Sequence, residues 1–157
     1  MSIEFKDFSD EVKSKIEAAL IAGLYEAVGE VEAQTKMNAK SHSDSGQTRN
    51  AWRYIVDEGE LSATIGNPLE NSLWEEFGTG AWAEGGKGRK DAWYVPVDGY
   101  TGSKPPTYNG KVCVVYGKEG KKFYKTNGKK PRRDFQSAFN QKKNTAINIM
   151  QNKLKNL

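Results

Sequence analysis

From Phe8 to about Asn38 apolar residues return every three to four positions, at Phe8, Val12, Ile16, Leu20, Leu24, Ala27 or Val28, and Val31, with Lys and Glu between them. That period predicts one long amphipathic helix. Ser9 stands where a cap would start it, and Asp10 and Glu11 oppose the helix dipole in its first turn. Thirty residues at 1.5 Å each reach roughly 45 Å, more than a compact domain of this size spans. Such a helix is expected to project or to pack against a neighbour.

After the polar stretch Lys40–Gly46 the period changes. Residues 51–56 and 61–66 read as two strands joined by the short acidic turn Asp57-Glu58-Gly59-Glu60, hence a β-hairpin. Leu69 to Phe77 reads as a short helix that Gly78 ends in a left-handed cap. Residues 78–110 are glycine-rich and mostly loop, with one strand expected at 93–97. A second hairpin follows, 111–116 with 122–126, and from Phe135 onward the helical period resumes to the end. The expected fold class is α+β. It joins a long N-terminal helix and a C-terminal helix packed on a small, mostly antiparallel sheet, in a single domain over residues 1–157.

Composition narrows the function classes. The chain has 157 residues, 36% apolar and 28% charged, with four Trp, seven Tyr and six Phe, so it is built to fold and some of its aromatics suit an interface. One cysteine, Cys113, and one histidine, His42, exclude an internal disulfide framework and a sulfur–imidazole zinc site. The first residues, Met1 to Asp7, are polar, and no window reaches the roughly 18 apolar residues of a membrane span. A reducing cytoplasm fits this usage. The net charge of +4 conceals an asymmetry, because residues 1–101 hold 10 Lys and Arg against 18 Asp and Glu, and residues 102–157 hold 14 against 2. Acidic and basic parts of this kind meet head to tail between copies, turn the basic portion toward an acidic partner such as DNA, or average out once the chain is folded.

No catalytic signature emerges. Glu75 and Glu76 are adjacent on a helix and point about 100° apart, so they cannot face one substrate as a pair. One of them is instead expected to address a backbone loop or a basic neighbour. The stretch Gly80–Gly88 resembles a phosphate loop, but Ala81 stands at the first glycine position and Gly88 at the required Ser or Thr. His42 lies in a polar loop beside Ser41, Ser43, Asp44 and Ser45 and reads as solvated, while Cys113 reads as a packing residue among valines. The run from Lys118 to Arg133, with Phe123 and Tyr124 inside it, suits either a half-buried hairpin or a nucleic-acid surface.

Three segments stand out by their order and spacing: Asp44-Ser45-Gly46-Gln47-Thr48-Arg49-Asn50-Ala51-Trp52, then Trp74-Glu75-Glu76-Phe77-Gly78-Thr79-Gly80, then Gly128 to Phe139 with Pro131 and Phe135. Together they resemble the gene-product-ten-like family of tailed bacteriophages, small virion proteins of the head-tail joining or tail-completion class. The chain departs from that family's pattern at Ser72-Leu73, where a Tyr-Ala pair is common, and at Pro131-Arg132-Arg133-Asp134-Phe135, where Pro-x-Pro-Phe is usual.

The resemblance implies a non-enzymatic protein without cofactor or metal, assembled in the host cytoplasm and located in the virion. Its partners would be copies of itself in a ring, with hexamers suggested, and the connector and tail-tube proteins on either side. Non-specific DNA contact is compatible with the role, and a small basic nucleic-acid-binding protein is the alternative. The motif residues carried over are Ser45, Gly46, Arg49, Glu76, Phe77, Gly78, Thr79, Gly80, Pro131 and Phe135. Arg49 would pair with Glu76, Phe77 would enter the core, and Gly78 and Gly80 would supply conformations closed to other residues. The candidate interface comprises Trp82, Trp93, Tyr100, Tyr108, Lys121, Lys122, Lys125, Lys129, Lys130, Arg132 and Arg133. The glycine-rich region would order on docking.

Overall fold

The computed structural model describes residues 6–42, 45–102 and 104–157. Met1 to Phe5, Ser43, and Asp44 of the first motif lie outside the described residues, as does the side chain of His42. Helix α1 runs Ser9–Ala39, and the four-residue α2, Gln47–Asn50, leads into strands β1 (Arg53–Asp57) and β2 (Ser62–Gly66). Helix α3 is Glu70–Phe77. Strands β3 (Trp93–Pro96), β4 (Thr107–Tyr108), β5 (Lys111–Tyr116) and β6 (Lys122–Thr126) precede helix α4, Asp134–Lys155. The α+β class stands, with two antiparallel sheets in place of one: β1 with β2, and β3-β6-β5-β4.

Helices α1 and α4 lie antiparallel, as the order of their contacts requires. Asn38 Nδ2 donates to the Asp134 carbonyl at 3.0 Å, Lys142 reaches Glu30 at 2.7 Å, and Lys153 reaches Glu26 at 2.9 Å. The buried face of α1 is a ladder of small residues four apart, Gly23, Ala27, Val31, Thr35 and Ala39, and Ala138 of α4 is wholly enclosed. Thr35 is also wholly enclosed, because its Oγ1 donates to the Val31 carbonyl at 2.8 Å and leaves no polar atom unpaired. The first hairpin packs on α1 through Tyr54, whose ring meets Tyr25 edge-on at 6.4 Å, and Tyr25 also donates to Glu58 at 3.0 Å.

Several sequence expectations are corrected. Phe8 occupies the cap position of α1 and Ser9 is already helical; the amide of Ser9 donates to Asp7 Oδ1 at 2.9 Å, so the cap comes from the preceding carboxylate. Gly78 ends α3 at φ 73, ψ 178, which is an extended backbone open to glycine alone, not a left-handed turn. Strand β4 was not foreseen, since two residues between prolines and Asn109-Gly110 carry no periodicity. The glycine-rich region therefore holds two strands and more regular structure than its composition suggests.

Two further features bear on function. The first turns of α1 extend past the end of α4, so that Phe8 is 57% and Val12 53% exposed, as a helix too long for its domain leads one to expect. Among described residues only Ala27, Val31, Ala39, Trp52 and Ala138 form the buried apolar core. With so small a core, overpacking at its centre should be felt: Ala138→Leu is expected to lower stability by about 1–3 kcal/mol. Urea titration followed by circular dichroism measures it, and an unchanged midpoint would show that the helix pair yields freely.

Candidate functional site

The three motif segments converge on one junction, where α3 leaves the helical part and β6 returns to it. Thr79 and Lys129 exchange two hydrogen bonds, from the Thr79 amide to the Lys129 carbonyl at 2.8 Å and from the Lys129 amide to Thr79 Oγ1 at 3.1 Å. The Ala81 amide continues this seam by donating to the Asn127 carbonyl at 2.9 Å. The backbones come so close that only glycine fits. A Cβ on Gly80, whose φ is +62, would sit 2.4 Å from the Asn127 carbonyl oxygen, and one on Gly128 would sit 2.0 Å from the Thr79 carbonyl oxygen. Asn127 is fixed in turn by a hydrogen bond from its Nδ2 to Asn109 Oδ1 at 2.8 Å.

Glu76 performs a task the sequence did not reveal. It is buried, and its two carboxylate oxygens accept from the amides of Phe135 and Gln136 at 2.9 and 2.8 Å, capping α4 from another helix. An α-helix begins with orphan N–H groups and a positive dipole end, so a carboxylate there satisfies donors and charge together. Arg49 does not pair with Glu76; its Nε donates to Asn50 Oδ1 at 3.1 Å. Gly46, at φ 78, opens α2 with Ser45 beside it, and Ser45 Oγ accepts from the Gln47 amide at 3.3 Å. The segment ends in Trp52, which stacks on Phe135 at 5.4 Å with the rings 12° apart. That contact brings the first motif to the third.

Glu75 turns to basic neighbours. Its Oε1 takes Lys129, and Arg132 Nε lies 3.2 Å from its Oε2. That buried Oε2 accepts no well-directed hydrogen bond, so the Arg132 charge is its compensation. The Arg132 amide adds a 2.8 Å bond to the Glu75 carbonyl. The expectation that one of the two glutamates addresses a loop or a basic group is met by Glu75. Beside them, burial pushes the Asp134 carboxyl above its ordinary 3.8, against the pull of Arg132 and Lys129, and burial lowers the Arg132 guanidinium.

Helix α3 is inverted. Ser72 and Glu76 face inward, whereas Leu73, Trp74 and Phe77 face solvent, and Phe77 is 50% exposed rather than in the core. An open cleft of about 750 Å³ adjoins the junction, lined among others by Trp74, Trp82, Trp93, Tyr100, Lys129, Lys130 and Arg132. Six of the candidate interface residues thus gather there. Lys130 stands over the Trp82 ring at 4.8 Å, and Arg133 pairs with Glu84 at 3.1 Å. Lys121 and Lys122 lie at the far end of the sheet, and Lys125 covers the Tyr108 ring at 4.2 Å. Pro131, at the start of the α4 entry, abuts the position where a Gly78 Cβ would be.

Folding partly interleaves the acidic and basic parts, since Glu75 meets Lys129 and Arg132, Glu84 meets Arg133, Glu30 meets Lys142 and Glu26 meets Lys153. Residues 78–133, which contain the four-stranded sheet, hold 13 Lys and Arg against 4 Asp and Glu, while the remainder holds 11 against 16. Among described residues no group of His, Cys, Asp and Glu is placed to hold a metal ion, and no helix is long and apolar enough to cross a membrane. No family model matches the chain, and no curated protein or solved structure is significantly similar to it.

Two outcomes follow from the junction. Glu76→Ala should cost about 1–3 kcal/mol, the range for a lost charge-assisted hydrogen bond, whereas Arg49→Lys should change stability by less than about 0.5 kcal/mol; equal costs in thermal melts would restore an Arg49–Glu76 pair. The folded carboxyl of Asp134 binds its proton more tightly than an unfolded one, so the folded state gains as pH falls towards 3.8 and loses as pH rises through the folded value. Urea midpoints across that range should therefore slope less favourably at low pH in Asp134→Asn than in the parent. Identical slopes would contradict it.

Proposed function

We propose that this chain is a non-enzymatic subunit of phage virion assembly, of the head-tail joining or tail-completion class, acting as a closed ring of copies between connector and tail tube. The observation that carries the reading is surface. A monomer of 17.5 kDa is expected to expose about 7,900 Å², and this chain exposes 11203 Å². The excess, about 3,300 Å², is of the size that permanent assemblies bury between subunits.

The distribution of that surface supports the same reading. An inverted helix, a projecting α1 and a four-stranded sheet with exposed residues on both faces suit an element completed by its neighbours. The acidic first hairpin turn and the basic turn after β5 suit a heterologous contact, the kind that closes rings. A second reading, a small nucleic-acid-binding protein, is favoured by the +9 carried by residues 78–133.

Deletion of the gene from its phage, electron microscopy of the lysate and complementation with purified protein test the proposal. Filled heads beside separate tails, made infectious when the protein is added, are expected. Normal infectious particles would contradict it, and DNA affinity that falls steeply with salt would then favour the second reading.

A further inference from the structure

The projecting part of α1 and the outer strip of β5 are complementary. Phe8, Val12 and Ile16, 57%, 53% and 37% exposed, continue the face that is buried further along the same helix at Ala27, Val31 and Thr35. They line a shallow groove with Leu20 and Leu61, beside the acidic turn that bears Asp57, Glu58 and Glu60. From Phe8 to Ile16 the stripe is about 12 Å long at 1.5 Å per residue.

On the sheet, Val112, Val114 and Tyr116 share one face of β5 and are 53%, 42% and 72% exposed. On the β3 side that same face lines the cleft, and Tyr124 there is met by Tyr100 at 5.5 Å. Among the described residues the β5 side has no such cover. From Val112 to Tyr116 the strip is about 13 Å long at 3.3 Å per residue. It runs into a basic turn with Lys118, Lys121 and Lys122, of which Lys121 pairs with Glu119 and Lys122 lies 5.9 Å from the Tyr116 ring.

We infer that the first turns of α1 of one copy lie along the β5 strip of the next, in a head-to-tail contact between copies of this chain. Two apolar stripes of equal length meet, and the acidic turn beside the helix falls towards the basic turn at the end of the strip. The groove and strip cannot satisfy each other within one molecule, because α1 is held along α4 and against the first hairpin. The contact is heterologous, so every copy keeps one donor helix and one acceptor strip for a further copy. The inference rests on the ring reading above and specifies its interface.

Native mass spectrometry of two variants and their mixture tests it. Val12→Asp spoils the helix stripe and leaves the strip intact; Val114→Asp does the reverse. Wild type should form oligomers, and each variant alone should lose association by about 100-fold or more, since a carboxylate would be buried without a partner. An equimolar mixture should give a 1:1 dimer that does not grow, because the Val114→Asp helix can use the Val12→Asp strip and no second contact remains. Circular dichroism confirms that both variants fold, and Tyr116→Ser, a milder change at the most exposed position, replaces Val114→Asp if it does not. A wild-type monomer at all concentrations, variants that associate as wild type does, or a mixture that stays monomeric would each overturn the contact. Val12→Asp protein that restores infectivity as wild type does would overturn the interface and leave the joining role standing. Wild-type protein that restores nothing while the mixture yields the dimer would do the opposite.

Discussion

The Glu76 carboxylate on the first amides of α4 is the contact on which the remaining arrangement depends. It joins a helix of the middle of the chain to one 60 residues later, and it does so at the point where the sheet returns to the helices. A surface carboxylate at a helix start contributes little, but this one is buried and accepts twice, so its loss removes two charge-assisted hydrogen bonds at once. The seam from Thr79 to Lys129 and the Trp52–Phe135 stack are anchored to the same spot. Removing Glu76 would loosen all three segments at once.

That economy explains how the chain stays folded with few buried apolar residues. Small side chains in the α1 ladder let α4 approach closely, and polar seams at glycine positions replace the apolar packing that a sheet usually has on one face. The consequence is that large apolar side chains are left for the outside. Trp74, Phe77, Val114 and Tyr116 are all substantially exposed, which fits the assembly role proposed above.

The elements with a strong period were legible in the sequence. Helices α1 and α4 and strands β5 and β6 come within a few residues of their expected bounds, because side-chain spacing alone decides them. The partner of Glu76 was not legible. An arginine in the first motif is a chemically sound match for it, but an amide pair at a helix start has no side-chain signature, and the four-residue α2 turns Arg49 towards Asn50. Phe77 misled for a related reason. Three apolar residues on an eight-residue helix suggest a core face, and only the buried Ser72 and Glu76 show that the helix faces the other way. Polar residues four apart on such a helix are the signal that could have been read.

Hydrogen exchange measured by mass spectrometry at low and high protein concentration tests the whole account in one measurement. The amides of Phe135 and Gln136 should be protected at both concentrations, and those of β5 and of the first turns of α1 should gain protection only at the higher one. Fast exchange at Phe135 and Gln136 would contradict the junction. Protection of β5 and α1 that does not change with concentration would contradict the claim that this chain is built to be completed by its own copies.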